Sequence, residues 1–149
     1  MAGQTLEARK PFRKPNERHL TATENATGEI VVKFHDHVRA RVSPSGQLNF
    51  LGQGNLGEAR RLLRNSSLQP AIKVSPIELD ALEAEAAANS GKAQPDLGGL
   101  ISVRVADVND KMGIEKLARR LNRLDSVEFA TIKHSLKVSS AQLTLSGGY

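Results

Sequence analysis

The chain has 149 residues, 39% of them apolar and 25% charged, which is the balance of one ordinary globular domain. It contains no cysteine, which excludes disulfides, thiolate metal sites and cysteine nucleophiles, and no apolar run approaches the roughly 20 residues a membrane helix needs. The net charge of +5 raises the question of nucleic acid, and with only Phe12, Phe34, Phe50, Phe129 and Tyr149 as aromatics the core is expected to be aliphatic.

Much of the positive excess lies at the start, in Arg9, Lys10, Arg13, Lys14 and Arg18. This stretch holds Pro11 and Pro15 and no apolar period, so residues 1–25 are expected to form a disordered basic tail. It has no apolar signal-peptide segment, which predicts a cytoplasmic location unless another export route is used. The domain proper is expected over 26–132. In Glu29–Phe34, Ile30, Val32 and Phe34 alternate with Val31 and Lys33, the pattern of a strand. His35 and His37 follow. His19 and His134 are the remaining histidines, too few at compatible spacing to complete a zinc site, so no metal is expected.

Val38–Val42 and Gln47–Leu51, joined by Ser43-Pro44-Ser45-Gly46, read as a hairpin. Asn55 as N-cap with Glu58 three residues later predicts a helix burying Leu56, Ala59, Leu62 and Leu63. The glycines before it, Gly52 and Gly54, are not followed by Gly-Lys-Ser/Thr and do not make a phosphate loop. Gln69–Val74 predicts a strand, with Pro70 at its entrance placing it at an edge. Ser75, Pro76 and Glu78 then supply an N-cap, first-turn proline and capping-box acid for an acidic helix that Gly91 ends. Its apolar stripe is Leu79, Leu82 and Ala86, and its other face carries Glu78, Asp80, Glu83 and Glu85.

From Leu100 the period is two, with Ile101, Val103 and Val105 opposite Ser102 and Arg104. After Asp110, the expected N-cap, Ile114, Leu117, Ala118, Leu121 and Leu124 form one stripe of a helix whose outer face is basic, with Lys116, Arg119, Arg120 and Arg123. Asp125-Ser126 turns into a last strand, Val127 and Phe129 inward and Glu128 outward. This strand should run parallel to the one at Leu100.

The order of elements predicts an α+β fold, a ferredoxin-like βαββαβ sandwich with an added β-hairpin and an inserted acidic helix. Two helices would cover one face of a four-stranded sheet. The other face would display Val31, Lys33, Ser102, Arg104, Glu128 and Ala130. No nucleophile sits in a recognisable elbow and no paired acids occur outside the acidic helix, so catalytic residues and cofactors are not expected and a binding module is. Ferredoxin-like sheets that read RNA stack bases on aromatics of the central strands. Val31, Lys33, Ser102 and Arg104 in those places argue against a nucleic-acid partner.

Three stretches carry a resemblance: Ser90–Leu97, Leu100–Val105, and Ile114-Glu-Lys-Leu-Ala-Arg-Arg-Leu-Asn-Arg-Leu-Asp-Ser-Val-Glu-Phe-Ala130. Together with the strand at Glu29–Phe34, they resemble the N-terminal prodomain of bacterial subtilisin-like serine proteases over about residues 28–132. The resemblance implies a ferredoxin-like domain that acts as an intramolecular chaperone and then an inhibitor of the protease catalytic domain. The open sheet face would dock on the protease and the tail after it would lie in the substrate cleft. The catalytic Asp, His and Ser of such a protease belong to a body that these residues do not include. In the expected extended tail, 133–149, Leu143, Thr144, Leu145, Ser146, Gly147, Gly148 and Tyr149 alternate apolar and small residues, contain no proline and suit addition as a strand to a cleft. The alternatives are a small basic RNA- or ribosome-associated module, for which charge alone speaks, and a small-ligand regulatory domain.

Overall fold

The computed structural model of the chain describes residues 5–135. At its centre is β1 (Ala26–Phe34), in which strict alternation buries Ile30, Val32 and Phe34 completely. It pairs antiparallel with β5 (Leu100–Arg104) on one side and with β6 (Val127–His134) on the other. The short β4 (Ser67–Pro70) lies outside β5, so the order is β4-β5-β1-β6. Because β5 and β6 are both antiparallel to β1, they run parallel to each other with β1 between them. That is the ferredoxin-like arrangement.

The helices α1 (Gly57–Leu62) and α3 (Lys111–Asn122) pack against each other, and α3 lies over β6 and β1. Ile114, Ala118 and Leu121 of α3 and Leu56, Ala59 and Leu63 around α1 meet Ile30, Val32, Ile101, Val103, Val127 and Ala130 in one core. Full burial of each large aliphatic side chain there stabilises by about 1.5–3 kcal/mol. The hairpin of β2 (Ala40–Val42) and β3 (Leu48–Phe50) adds Ala40 and Leu48 to the same core, and Arg60 of α1 donates Nε–H to the Leu48 carbonyl at 2.9 Å.

Local signals act as expected at two helices. Ser75 Oγ accepts the Glu78 amide at 3.2 Å to start α2 (Pro76–Ser90), and Gly91 ends it at φ 72°, where a side chain would be strained. Asp110 Oδ1 accepts the Gly113 amide at 3.1 Å at the start of α3. At α1, Asn55 Oδ1 instead takes the amide of Gly57, two residues on, and Leu56 occupies the cap position as a fully buried anchor.

Leu82, expected on the buried stripe of α2, is exposed, and three larger features also differ from the sequence expectation. The edge strand ends at Pro70 instead of continuing to Val74, because its partner gives out: Pro70 sits opposite Ile101, Ala71 donates to Leu100, and a 3-10 turn at Leu97–Gly99 precedes β5. In β6 the register passes from Lys33 opposite Phe129 to Phe34 opposite Val127, so Glu128 is an extra residue, a β-bulge. The bulge reverses the alternation. Ala130 therefore faces the helices opposite Val32, fully buried, and does not belong to the open face on which alternation from Val127 placed it.

The third difference concerns the basic segment expected as a tail up to residue 25. Glu7 bridges to the chain after α2, accepting from Ala93 and donating to Gly91. Lys14 Nζ donates to the carbonyls of Asn122 and Leu124 at 2.6 and 2.9 Å, placing a cation at the negative end of α3. The Ala22 amide binds Glu115 and the Leu20 side chain is buried. Residues 7–22 thus form an arm that runs along the β6 side of the sheet. Charge, proline content and the lack of an apolar period do not register these individual contacts, which form across more than 80 residues of sequence.

Asn122 joins the layers. Its Nδ2 donates to the carbonyls of Ala118 and Ala130, and its Oδ1 accepts the Ala130 amide at 2.8 Å, so a buried side chain serves the bulged strand as a neighbouring strand would. Asn122→Ala strands both backbone groups of Ala130 and is expected to lower stability by about 2–3 kcal/mol. Urea unfolding with an unchanged denaturant slope is the check, and a loss below about 0.5 kcal/mol would mean that water replaces the side chain without penalty.

Candidate functional site

The sheet face away from α1 and α3 is the place the sequence marks for a partner, and half of it is closed by charges. Glu128, thrown onto this face by the bulge, is 1% exposed. It accepts from Arg9 Nη2, from the Phe12 amide at 2.9 Å and from Lys33 Nζ at 3.3 Å. Lys33, 3% exposed, also donates to the Phe34 carbonyl and to Asp36 Oδ1 at 2.9 Å. Asp36 completes the ring by accepting Arg9 Nε at 2.8 Å and the Asp96 amide at 2.8 Å. Two cations and two carboxylates thus satisfy one another, with Glu128 and Lys33 sealed from water and Asp36 at the partly exposed edge, and the arm supplies one of the cations.

Burial alone would push the Asp36 and Glu128 carboxyls up. Hydrogen bonds from Arg9, from the backbone amides of Asp96 and Phe12 respectively, and from Lys33 more than reverse this, holding both below the usual carboxylate range. The ring is an electrostatic clamp. Over it Phe12 packs edge-on against Phe129, ring centres 5.7 Å apart, and remains largely exposed.

Beyond the clamp the face is more open. Val31 pairs with Ser102 on one side and Thr131 on the other, and Gln69 of β4 lies beside Ser102. Val31 and Thr131 are half-buried, Gln69 and Arg104 are exposed, and Ser102 is shielded as its hydroxyl donates to Glu29 at 3.2 Å. Of the residues expected on this face, Val31, Ser102 and Arg104 line the open part, Lys33 and Glu128 lie sealed within the clamp, and Ala130 is on the core side. Phe12, Phe129 and Thr131 belong to the face and were not anticipated, because the bulge and the arm were not. The segment from Leu143 to Tyr149 lies outside the described residues.

Two other polar groupings stand nearby. Arg39, in the left-handed region at φ 50°, and Arg41 reach from the hairpin to Asp80 and Glu83 of α2 and to the buried Asp96; Arg41 holds both Asp96 oxygens at 2.8 Å. The three carboxylates come within 4.8 Å of one another, but two guanidiniums already occupy the space that a cation would fill. This network fastens α2 and the hairpin together. His35 and His37 stack with ring centres 5.7 Å apart, and burial holds the His35 imidazole below its usual value. Among the described residues no helix is long and apolar enough to cross a membrane. No family model, curated protein or solved structure matches the chain.

The clamp has a consequence for pH. Carboxyls depressed in the fold contribute stability that is fully present above their unfolded values near pH 4 and is lost as pH falls below that. Stability measured by urea unfolding should therefore decline steadily between about pH 5 and pH 3. Glu128→Gln should cost about 3 kcal/mol at pH 6, because it leaves Arg9 and Lys33 short of a counter-charge, and should flatten the decline. An equally steep decline in the variant would show that Glu128 does not carry the pH dependence.

Proposed function

We propose that the chain is a prodomain-like binding protein that docks the helix-free face of its sheet on the catalytic domain of a subtilisin-like serine protease, assisting its folding and inhibiting it. The reading is supported by the resemblance over residues 28–132 and by the βαββαβ order, which puts both core helices on one side. The observation that carries it is the patch beside the clamp. There Val31, Gln69, Arg104 and Thr131 retain accessible surface across all four strands, clear of the bulge, with the exposed Phe12 ring at its rim.

The clamp narrows where such a partner can sit. A partner seated in place of the arm would cover Glu128 and Lys33 with Arg9 removed, at a cost of several kcal/mol, so docking beside the arm is favoured over docking in its place. The contact is then centred on Val31 and Arg104 over the shielded Ser102, with the arm as one wall. In this reading the segment Leu143–Tyr149 enters the substrate cleft as an added strand.

The test is stoichiometric inhibition of purified subtilisin-like proteases, paired with refolding of their catalytic domains. The chain should inhibit, and Val31→Glu or Arg104→Glu should raise the inhibition constant at least tenfold, about 1.4 kcal/mol, with the circular dichroism unchanged. Removing residues 141–149 should weaken inhibition by a similar factor while leaving the refolding effect. Absence of inhibition together with salt-sensitive RNA binding would contradict the reading and favour a basic RNA-associated module.

A further inference from the structure

Two helix surfaces outside the clamp and the open patch carry charge and apolar area that the fold does not use. On α3, Lys116, Arg119, Arg120 and Arg123 follow one another at i, i+3, i+4 and i+7, where like charges repel by about 0.2–0.5 kcal/mol per pair. Arg119 is answered by Glu115 and Arg123 by Glu17, but Lys116 and Arg120 have no ion pair among the described residues. These two line a groove with Arg61, Leu62 and Leu117, which continues past Arg123 and Leu124 along the seam between α1 and α3. Its floor is aliphatic, and its walls carry Arg61, Lys116, Arg120 and Arg123 against one carboxylate, Glu58, which Arg61 engages.

The acidic helix α2 shows the opposite pattern. It buries only Leu79, leaving Ile77 83% and Leu82 56% exposed. Glu78 and Glu85 are exposed and have no ion pair among the described residues, unlike Asp80 and Glu83, which Arg39 and Arg41 engage. At about 100° per residue, Glu78 and Glu85 project in nearly the same direction, with Ile77 and Leu82 on either side. They stand about 10 Å apart along the axis and Lys116 and Arg120 about 6 Å apart along theirs, a difference within the reach of these long side chains.

We propose that the groove between α1 and α3 receives α2 of a second copy of this chain. Glu78 and Glu85 would meet Lys116 and Arg120, and Ile77 and Leu82 would settle on Leu62, Leu117 and Leu124, in the manner of a helix laid in a groove. A phosphate backbone would satisfy the cations but leave both sets of aliphatic side chains in water, whereas one helix contact covers both. Copies of net charge +5 repel at long range, but at about 0.1 M salt that repulsion is screened beyond about 10 Å and the local pairing decides. The contact joins different surfaces of the two copies, so it builds rings or open chains. A single helix in a groove falls in the smallest class of interfaces, which makes the association weak and concentration-dependent. The groove lies on the helix side of the sheet and does not depend on any protease partner.

Sedimentation velocity of the full chain tests this, from about 10 μM to about 1 mM in 0.1 M and in 1 M sodium chloride. The weight-average coefficient should rise with concentration at low salt and much less at high salt. Lys116→Glu/Arg120→Glu and Glu78→Lys/Glu85→Lys should each be monomeric with unchanged circular dichroism. An equimolar mixture of the two should associate again, because each then offers the other a complementary partner. A wild-type chain that stays monomeric throughout, a mixture that does not recover, or association that appears only when a homopolymeric RNA is added would overturn the proposal.

Discussion

A carboxylate with 1% of its surface exposed has to be answered by charge, and around Glu128 much of the described structure is arranged to do so. The answer comes from two separated parts of the chain: Arg9 from the arm and Lys33 from the central strand, with Asp36, just beyond that strand, tying both cations. Replacing such a group by an apolar one can be neutral, but removing one member of the set leaves the others buried and uncompensated. The ring therefore fixes the geometry of its surroundings more firmly than it adds to net stability. It holds the bulge in β6, and with it the reversal that turns Ala130 inward and Phe129 outward.

That reversal decides what the molecule presents. With strict alternation the whole helix-free face would be a flat, mixed surface running from β4 to β6. With the bulge and the arm, part of its β6 side becomes a closed electrostatic unit topped by the Phe12 and Phe129 rings, and a smaller patch around Val31, Gln69 and Arg104 stays accessible. Asn122 supports the same strand from below, on the helix side. The binding reading proposed above depends on this division, since it assigns the partner to the open half and the arm to the wall.

What the sequence discloses is what depends on neighbours along the chain. The caps at Ser75, Gly91 and Asp110, the alternation in β1 and β5 and the apolar stripe of α3 are all local patterns, and together with the order of elements they suffice for the ferredoxin-like arrangement. Val31, Lys33, Ser102 and Arg104 are on the helix-free face for the same reason. The arm and the bulge were not legible. Arg9 meets Glu128 across 119 positions, and Lys14 meets the end of α3 across 108, so the charge pattern of residues 9–18 looks like a solvated leader until its acceptors are placed. A single extra residue in a strand leaves no periodic signature. The length of β4 was likewise set elsewhere, by where β5 begins.

The claim on which the rest turns is that the arm is an integral part of the folded unit, locked through Glu128. Its most direct test is native-state hydrogen exchange at the Phe12 amide, which donates to Glu128 at 2.9 Å in a segment with no regular secondary structure. The account predicts that this amide exchanges only through large opening, with a free energy close to that of the β1 amides. Exchange at Phe12 near the rate of an unstructured peptide, while β1 remains protected, would contradict it and return the whole helix-free face to solvent.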